Sequence, residues 1–100
     1  MSNGFIDPGA RPCLCRGVRL VHNETHGGWV LLAPERVFKA DAVAAEVLRR
    51  CTGRATFGEI VGDLAKIYAA PRDRIASDVA MLVSTLLEKR LMELTNDEQR

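Results

Sequence analysis

Apolar and polar positions change their spacing at Asp41, and this change divides the chain into an extended part and a helical part. Upstream lie three runs rich in β-branched and aromatic residues, 17–22, 29–33 and 36–40, which is typical of strands. Pro34 cannot donate to a sheet ladder and falls between the second and third runs. We therefore predict a three-stranded sheet, whose edge strands leave backbone groups unpaired.

Downstream of Asp41, apolar residues recur at helical spacing almost to the C-terminus. Asp41 is a good N-cap for a first helix. Thr56 and Glu59 have the spacing of a capping box at the start of a second helix. A third helix is predicted from residue 72 to about residue 90, because no Gly or Pro interrupts it. The fold class is therefore α+β, with a three-stranded antiparallel sheet packed on a three-helix bundle.

The third helix has two apolar seams that together cover roughly 160° of its surface, more than a surface helix needs. The seams are Ile75, Val79, Leu82 and Leu86, and beside them Ala76, Ala80, Val83 and Leu87. Either both seams are core, or one packs on the domain while the other lines a groove. A groove beside strand 36–40 would bind an extended peptide by strand addition.

Length and composition are those of one globular domain: 100 residues, of which 47% are hydrophobic and 27% charged. Gly and Pro residues without periodicity predict a flexible N-terminal arm over residues 1–12. The single domain is then expected over residues 13–94, and the polar end, residues 95–100, is expected to fray.

Charge and hydropathy exclude several partners. The formal net charge is +1 and the charges are spread along the chain. The sequence therefore lacks the concentrated basic patch that binding to nucleic acid or to an anionic membrane requires. No apolar stretch approaches the roughly 20 residues of a membrane span, and the N-terminus lacks the pattern of a signal peptide. Three cysteines, an odd number, fit reduced thiols. We expect a cytoplasmic protein.

Thiol and imidazole groups provide the one candidate metal site, a zinc site made by Cys13, Cys15, His22 and His26. Cys-x-Cys is an uncommon zinc arm, and the four residues lie on both sides of a predicted strand. We therefore favour free thiols and solvated histidines. The helical carboxylates lack evident partners and no Gly-rich phosphate loop is present, so we expect neither an enzyme nor a cofactor.

A winged-helix DNA-binding domain is the alternative function, because it also combines three helices with a small sheet. DNA recognition needs polar and basic side chains along the helix that enters the groove. Here the basic residues lie only at the ends of the third helix: Arg72, Arg74, Lys89 and Arg90. We rank peptide binding above DNA binding.

The chain resembles the PqqD family over about residues 12–94. The resemblance is carried by Leu31, Leu32, Ala33, Pro34 and Glu35, then by Phe38, Lys39, Ala40 and Asp41, and by later positions that include Thr52, Gly53, Phe57, Ile60, Leu64, Tyr68, Pro71, Ile75, Asp78, Val79 and Leu82. It implies a winged-helix-like arrangement and a non-catalytic peptide chaperone of pyrroloquinoline quinone (PQQ) biosynthesis. Such a protein would bind the ribosomal precursor peptide PqqA and present it to the radical S-adenosylmethionine (SAM) enzyme PqqE.

The resemblance also implies where the peptide lies, as an added strand between the third strand and the third helix. The implied contacts are Arg36, Val37, Phe38, Lys39 and Ala40 on the strand, and Arg74, Ile75, Asp78, Val79, Leu82 and Val83 on the helix. Ala40 and Asp41 stand where Leu and Asn are common in the family. An open edge permits a monomer or a weak, strand-exchanged homodimer.

Overall fold

A computed structural model describes residues 6–24 and 28–95. Five strands and three helices follow one another in these residues. The strands are β1 (Arg11–Leu14), β2 (Arg19–Asn23), β3 (Gly28–Ala33), β4 (Arg36–Ala40) and β5 (Met92–Thr95), and the helices are α1 (Ala42–Arg49), α2 (Phe57–Tyr68) and α3 (Arg72–Glu88).

The larger sheet is antiparallel with the order β2-β3-β4, which confirms the predicted three strands. Two residues, Pro34 and Glu35, join β3 to β4, and Ala33 and Arg36 face each other across this turn. Glu35 has a φ of 65°, the left-handed conformation that the turn requires. Within the described residues, the sheet therefore leaves one side of β4 unpaired.

A second sheet was not predicted. It pairs β1 with β5 antiparallel, so that Pro12 lies opposite Leu94. The prediction of a flexible arm is therefore wrong for residues 6–12, because Ile6 and Ala10 are buried in the core and Pro12 is also fully buried. The missing N–H of Pro12 is tolerated here, because Pro12 takes part in backbone bonding through its carbonyl oxygen, which accepts from the Gly53 N–H at 2.9 Å. Thr95 likewise belongs to β5, while residues 1–5 and 96–100 lie outside the described part.

Local capping sets the helix starts as predicted. The Asp41 carboxylate accepts a hydrogen bond from the Ala44 N–H at 2.8 Å. At α2, the Thr56 hydroxyl accepts from the Glu59 N–H at 3.1 Å, and the Glu59 carboxylate accepts from the Thr56 N–H at 2.9 Å. These bonds satisfy backbone donors that have no partner inside the helix.

One hydrophobic core lies between the helices and one face of the larger sheet. Leu31 on β3 is 2% exposed and packs with the buried faces of α1, α2 and α3. Leu20, Phe38 and Ala40 contribute to the same face of the sheet. The winged-helix-like α+β arrangement agrees with the prediction. No helix in the described ranges has the length and apolar character needed to cross a membrane.

Candidate functional site

The open edge of β4 presents backbone groups of two residues. Paired residues in an antiparallel sheet alternate between hydrogen-bonded and non-hydrogen-bonded, and a two-residue loop closes on a hydrogen-bonded pair. That pair is Ala33 and Arg36, followed in register by Leu32 with Val37 and Leu31 with Phe38. Phe38 therefore directs its backbone groups to β3, whereas Val37 and Lys39 direct theirs to the open edge.

A pocket of about 180 Å³, here the sheet pocket, lies between β4 and α3. Phe38 and Ala40 line it from the strand, and Leu82 and Leu86 from the helix. Its remaining lining residues are Leu31, Lys39, Ala44, Leu48, Thr85 and Lys89. The sheet pocket is mainly apolar and adjoins the β4 edge.

Two cations flank the ring of Phe38 at one end of the sheet pocket. The Arg36 guanidinium carbon lies 5.5 Å from the ring centroid, and the Lys89 ammonium nitrogen 5.9 Å from it. Both distances are within the range of a cation–π interaction. This end of the pocket therefore combines an aromatic surface with positive charge.

A larger pocket of about 410 Å³, here the helix pocket, lies among α1, α2 and α3. It is lined by Asp41, Val43, Ala44, Val47, Leu64, Tyr68, Ile75, Asp78, Val79 and Leu82. Val43 is 53% exposed and Tyr68 39% exposed. Its volume lies within the range of ligand pockets, and apolar surface with a few polar groups is the usual lining.

Ala44 and Leu82 line both pockets, so the two cavities are neighbours with a shared wall. We call the pair the trough. One side of the trough is formed by β4 and the start of α1, and the other by α3, with Leu64 and Tyr68 of α2 completing the helix pocket. The trough thus places apolar surface directly beside unpaired strand backbone.

The five predicted strand residues lie together on β4, but they do not share one face. Phe38 and Ala40 pack toward the core side, which also carries Arg36. Val37 and Lys39 alternate with them, so their side chains belong to the opposite face, and Val37 is 64% exposed. The backbone N–H and C=O groups of these two residues point to the open edge, where they can form hydrogen bonds with a guest strand.

The predicted helix residues fall into three groups. Ile75, Asp78 and Leu82 line the trough, and Val79 lines it while remaining only 3% exposed. Val83 has 0% exposure and belongs to the core, so its prediction as a groove residue is wrong. The remaining residue, Arg74, is exposed and lines neither pocket.

Sequence reasoning missed the contribution of α1 and α2. Asp41, Val43 and Ala44 reach the trough from the start of α1, and Leu64 and Tyr68 reach it from α2. Val43 and Tyr68 provided a signal, because each is a large apolar or aromatic residue at the margin of an amphipathic helix. Their convergence depends on how the three helices pack.

The candidate zinc ligands do not form a metal site among the described residues, where no group of three or more His, Cys, Asp or Glu could hold an ion. His22 instead packs edge-on against Trp29, with ring centroids 4.8 Å apart. His26 lies outside the described residues. The three cysteines are free thiols, and burial raises the pKa of Cys51 to about 12, with a smaller contribution from Cys13.

The DNA-binding alternative gains no support from α3. Between Arg74 and Lys89 the helix has no Arg or Lys, and its exposed positions there include Asp78 and Met81. Arg72, at its start, donates a hydrogen bond to the Gly58 carbonyl oxygen at 3.1 Å. This helix is therefore poorly suited to bind phosphates.

Comparison with known proteins gives consistent similarities. The family described as "Coenzyme PQQ synthesis protein D (PqqD)" matches residues 28–92. The PqqA binding protein of Bradyrhizobium diazoefficiens is 42% identical over 84 residues, which are 84% of this chain and 82% of that protein. The PqqA binding protein of Gluconobacter oxydans is 40% identical over 77 residues, 77% of this chain and 80% of that protein.

Two solved structures resemble the fold. The solution structure of the PqqD part of Methylobacterium extorquens PqqCD, a stand-alone recognition element for ribosomally synthesised and modified peptides, has a TM-score of 0.77 at 36% identity. The similarity covers 93% of this chain and 99% of that one. The crystal structure of Xanthomonas campestris PqqD has a TM-score of 0.54 at 40% identity, covering 87% of this chain and 97% of that one.

Proposed function

The chain belongs to the PqqD family, and on this basis we propose that it is a non-catalytic peptide chaperone of PQQ biosynthesis. It binds the ribosomal precursor peptide PqqA in the trough and presents it to the radical SAM enzyme PqqE. The relatives that are named PqqA binding proteins support the choice of peptide. A ribosomal precursor is made in the cytoplasm, so the encounter takes place there.

The observation that carries the proposal is the unpaired edge of β4 beside the trough. PqqA adds to this edge as a fourth strand and exchanges hydrogen bonds with the backbone of Val37 and Lys39. Main-chain pairing of this kind gives affinity without sequence preference, and side-chain pockets supply the selectivity. Alternate PqqA side chains then face α3 and enter the two pockets of the trough.

Calorimetry with synthetic PqqA and two aspartate variants on α3 tests the location. Leu82 lines both pockets, whereas its neighbour Met81 is 62% exposed and lines neither. We expect Leu82→Asp to weaken PqqA binding at least tenfold and Met81→Asp to leave it within twofold. Circular dichroism provides the folding control. Equal affinities of the two folded variants would reject the trough as the binding site.

Amide hydrogen exchange tests strand addition separately from location. On PqqA binding, the amides of Val37 and Lys39 should become protected, because they gain partners on the guest. The Phe38 amide already faces β3 and should change little by comparison. Uniform protection of all three amides, or none, would contradict pairing at this edge.

Presentation to PqqE needs its own measurement. We expect PqqE to cross-link PqqA faster in the presence of the wild-type chain than with Leu82→Asp, at equal concentrations of enzyme and peptide. Equal rates would limit the role to peptide binding. The open β4 edge also admits a second copy of the chain. Sedimentation with and without PqqA separates this case, because we expect the peptide to displace any homodimer that uses β4.

A further inference from the structure

The two pockets of the trough have charged linings of opposite sign. Asp41 and Asp78 are the charged residues that line the helix pocket. At the sheet pocket the Lys89 ammonium and the Arg36 guanidinium both lie beside the ring of Phe38, whereas the side chain of Lys39 belongs to the opposite face of the sheet. The trough therefore has an anionic end and a cationic end, joined by the apolar wall of Ala44 and Leu82.

The two walls of the trough place these charges at matching separations. From Arg36 to Asp41 the chain advances five residues, roughly 16 Å at the rise of a strand. From Asp78 to Lys89 it advances eleven residues, also roughly 16 Å at the rise of a helix. Since Arg36 bonds to the Lys89 carbonyl oxygen, like charges on β4 and α3 lie opposite each other at the cationic end.

The charges remain available to a guest. Asp78 is exposed and forms no ion pair within the described ranges, although Arg74 is one helical turn away. Lys89 is also exposed, and its ammonium group lies over the ring of Phe38. Asp41 uses one carboxylate oxygen, Oδ1, to cap α1. Charges at the margin of an apolar trough favour ligands of opposite sign.

We infer that the trough selects an extended peptide with a basic side chain at the Asp41 and Asp78 end, a carboxylate at the Arg36 and Lys89 end, and apolar side chains between them. The inference rests on the proposed strand addition at β4. In an extended guest, side chains on the same face are an even number of residues apart. The separation of roughly 16 Å therefore corresponds to a spacing of about four or six residues at 3.3 Å per residue.

A guest of this kind can bind in only one direction. If it runs antiparallel to β4, its basic residue precedes its acidic residue in sequence; if it runs parallel, the order is reversed. A guest with the opposite order of charges, or one that binds in the opposite direction, places like charges together at both ends of the trough, which disfavours binding. The trough would thus fix the register as well as the direction of the peptide.

A panel of synthetic peptides tests the inference independently of PqqA. Each peptide has an apolar strand-forming sequence with one Lys and one Glu, in both orders, at spacings of two, four and six residues, and fluorescence anisotropy reports binding. We expect one order to bind better than the other by about fivefold, the effect of roughly 1 kcal/mol, at a spacing of four or six. The preference should vanish in 1 M NaCl, where the Debye length is only about 3 Å.

Protein variants with matched charge changes identify the residues. Asp78→Asn and Ser77→Lys each raise the net charge by one, but Ser77 lines neither pocket. Lys89→Gln and Lys66→Gln each lower it by one, and Lys66 lies on α2 outside both pockets. We expect Asp78→Asn and Lys89→Gln to reduce the preference for one charge order about two- to fivefold, and the other two variants to keep it.

The outcomes separate this inference from the proposed function. Equal binding of both charge orders, equal effects of the matched variants, or no binding of any panel peptide would overturn the charge-polarised trough. If the panel shows the preference but PqqA does not bind, the trough recognises a different guest and the proposed function fails alone. If PqqA binds but its affinity is indifferent to Asp78→Asn and Lys89→Gln, the proposed function stands without charge selection.

Discussion

The Arg36 guanidinium on β4 donates a hydrogen bond to the carbonyl oxygen of Lys89, just past the end of α3, with an Nη2–O distance of 3.3 Å. Lys89 is the C-cap of α3, so this bond satisfies a carbonyl that the helix itself leaves unpaired. It also joins the two walls of the trough at their cationic end.

Replacing Arg36 by alanine should lower the free energy of unfolding only slightly. The lost bond is exposed, so we expect a decrease of about 0.5 to 1 kcal/mol in urea denaturation. Arg19→Ala is the matched control, because Arg19 is an exposed arginine on β2 of the same sheet. An equal change in the two variants would show that the contact with Lys89 adds nothing in solution.

The helices could be predicted from sequence because their signals are local. Asp41, Thr56 and Glu59 make their capping bonds within three residues along the chain. The small sheet could not be found in this way, since Arg11 pairs with Thr95 across almost the whole chain. Short strands of four residues give too little alternation to be recognised without their partner.

Ile6 tests the corrected view of the N-terminal segment. It is 7% exposed and belongs to the hydrophobic core. Ile6→Ala should therefore lower the free energy of unfolding by about 2 to 3 kcal/mol, as expected for a buried isoleucine. Ile67→Ala, at a position on α2 that is 53% exposed, should cost less than about 1 kcal/mol. A negligible effect at Ile6 would restore the original prediction of a loosely attached arm.

The candidate site was predictable in part, because the apolar spacing of α3 is a local signal like the helix caps. The apolar seam of α3 pointed to Ile75 and Leu82, which line the helix pocket, because a seam identifies a buried or half-buried face. It could not separate Val83, which is core, from residues that line a cavity. That distinction depends on the distance between α3 and the other elements, which periodicity does not contain.

Gly53 adopts a left-handed backbone conformation that residues with a side chain rarely adopt. Its φ is 86°, and a Cβ at this position would lie 3.4 Å from the Sγ of Cys13. Gly53→Ala should lower the free energy of unfolding by about 1 to 2 kcal/mol because of the left-handed conformation. Gly9→Ala is the control, because a Cβ at Gly9 would lie an ordinary 3.9 Å from the nearest atom, the Asp7 carboxylate oxygen.

A second substitution at Gly53 separates the two causes. Asn adopts the left-handed conformation more readily than Ala but is larger. If backbone strain dominates, Gly53→Asn should be the more stable of the two variants in thermal denaturation. If crowding against Cys13 dominates, Gly53→Asn should be the less stable. Equal stability of Gly53→Ala and the wild type would contradict the positive φ.

Cys51 should be the least reactive of the three thiols in the folded protein. It is 3% exposed, and its thiol donates a hydrogen bond to the Val47 carbonyl oxygen at 3.2 Å. Burial raises its pKa to about 12, so only about one molecule in ten thousand has the reactive thiolate at pH 8. Cys13, which is half-buried, lacks this degree of protection from solvent.

Alkylation with iodoacetamide at pH 8, followed by peptide mass spectrometry, measures the difference. In the native protein we expect Cys13 to be modified first and Cys51 to remain unmodified until the chain unfolds. In concentrated urea the thiols should react at similar rates, because burial no longer distinguishes them. Rapid native modification of Cys51 would mean that the end of α1 opens readily, and that the wall of the trough formed by α1 is not rigid.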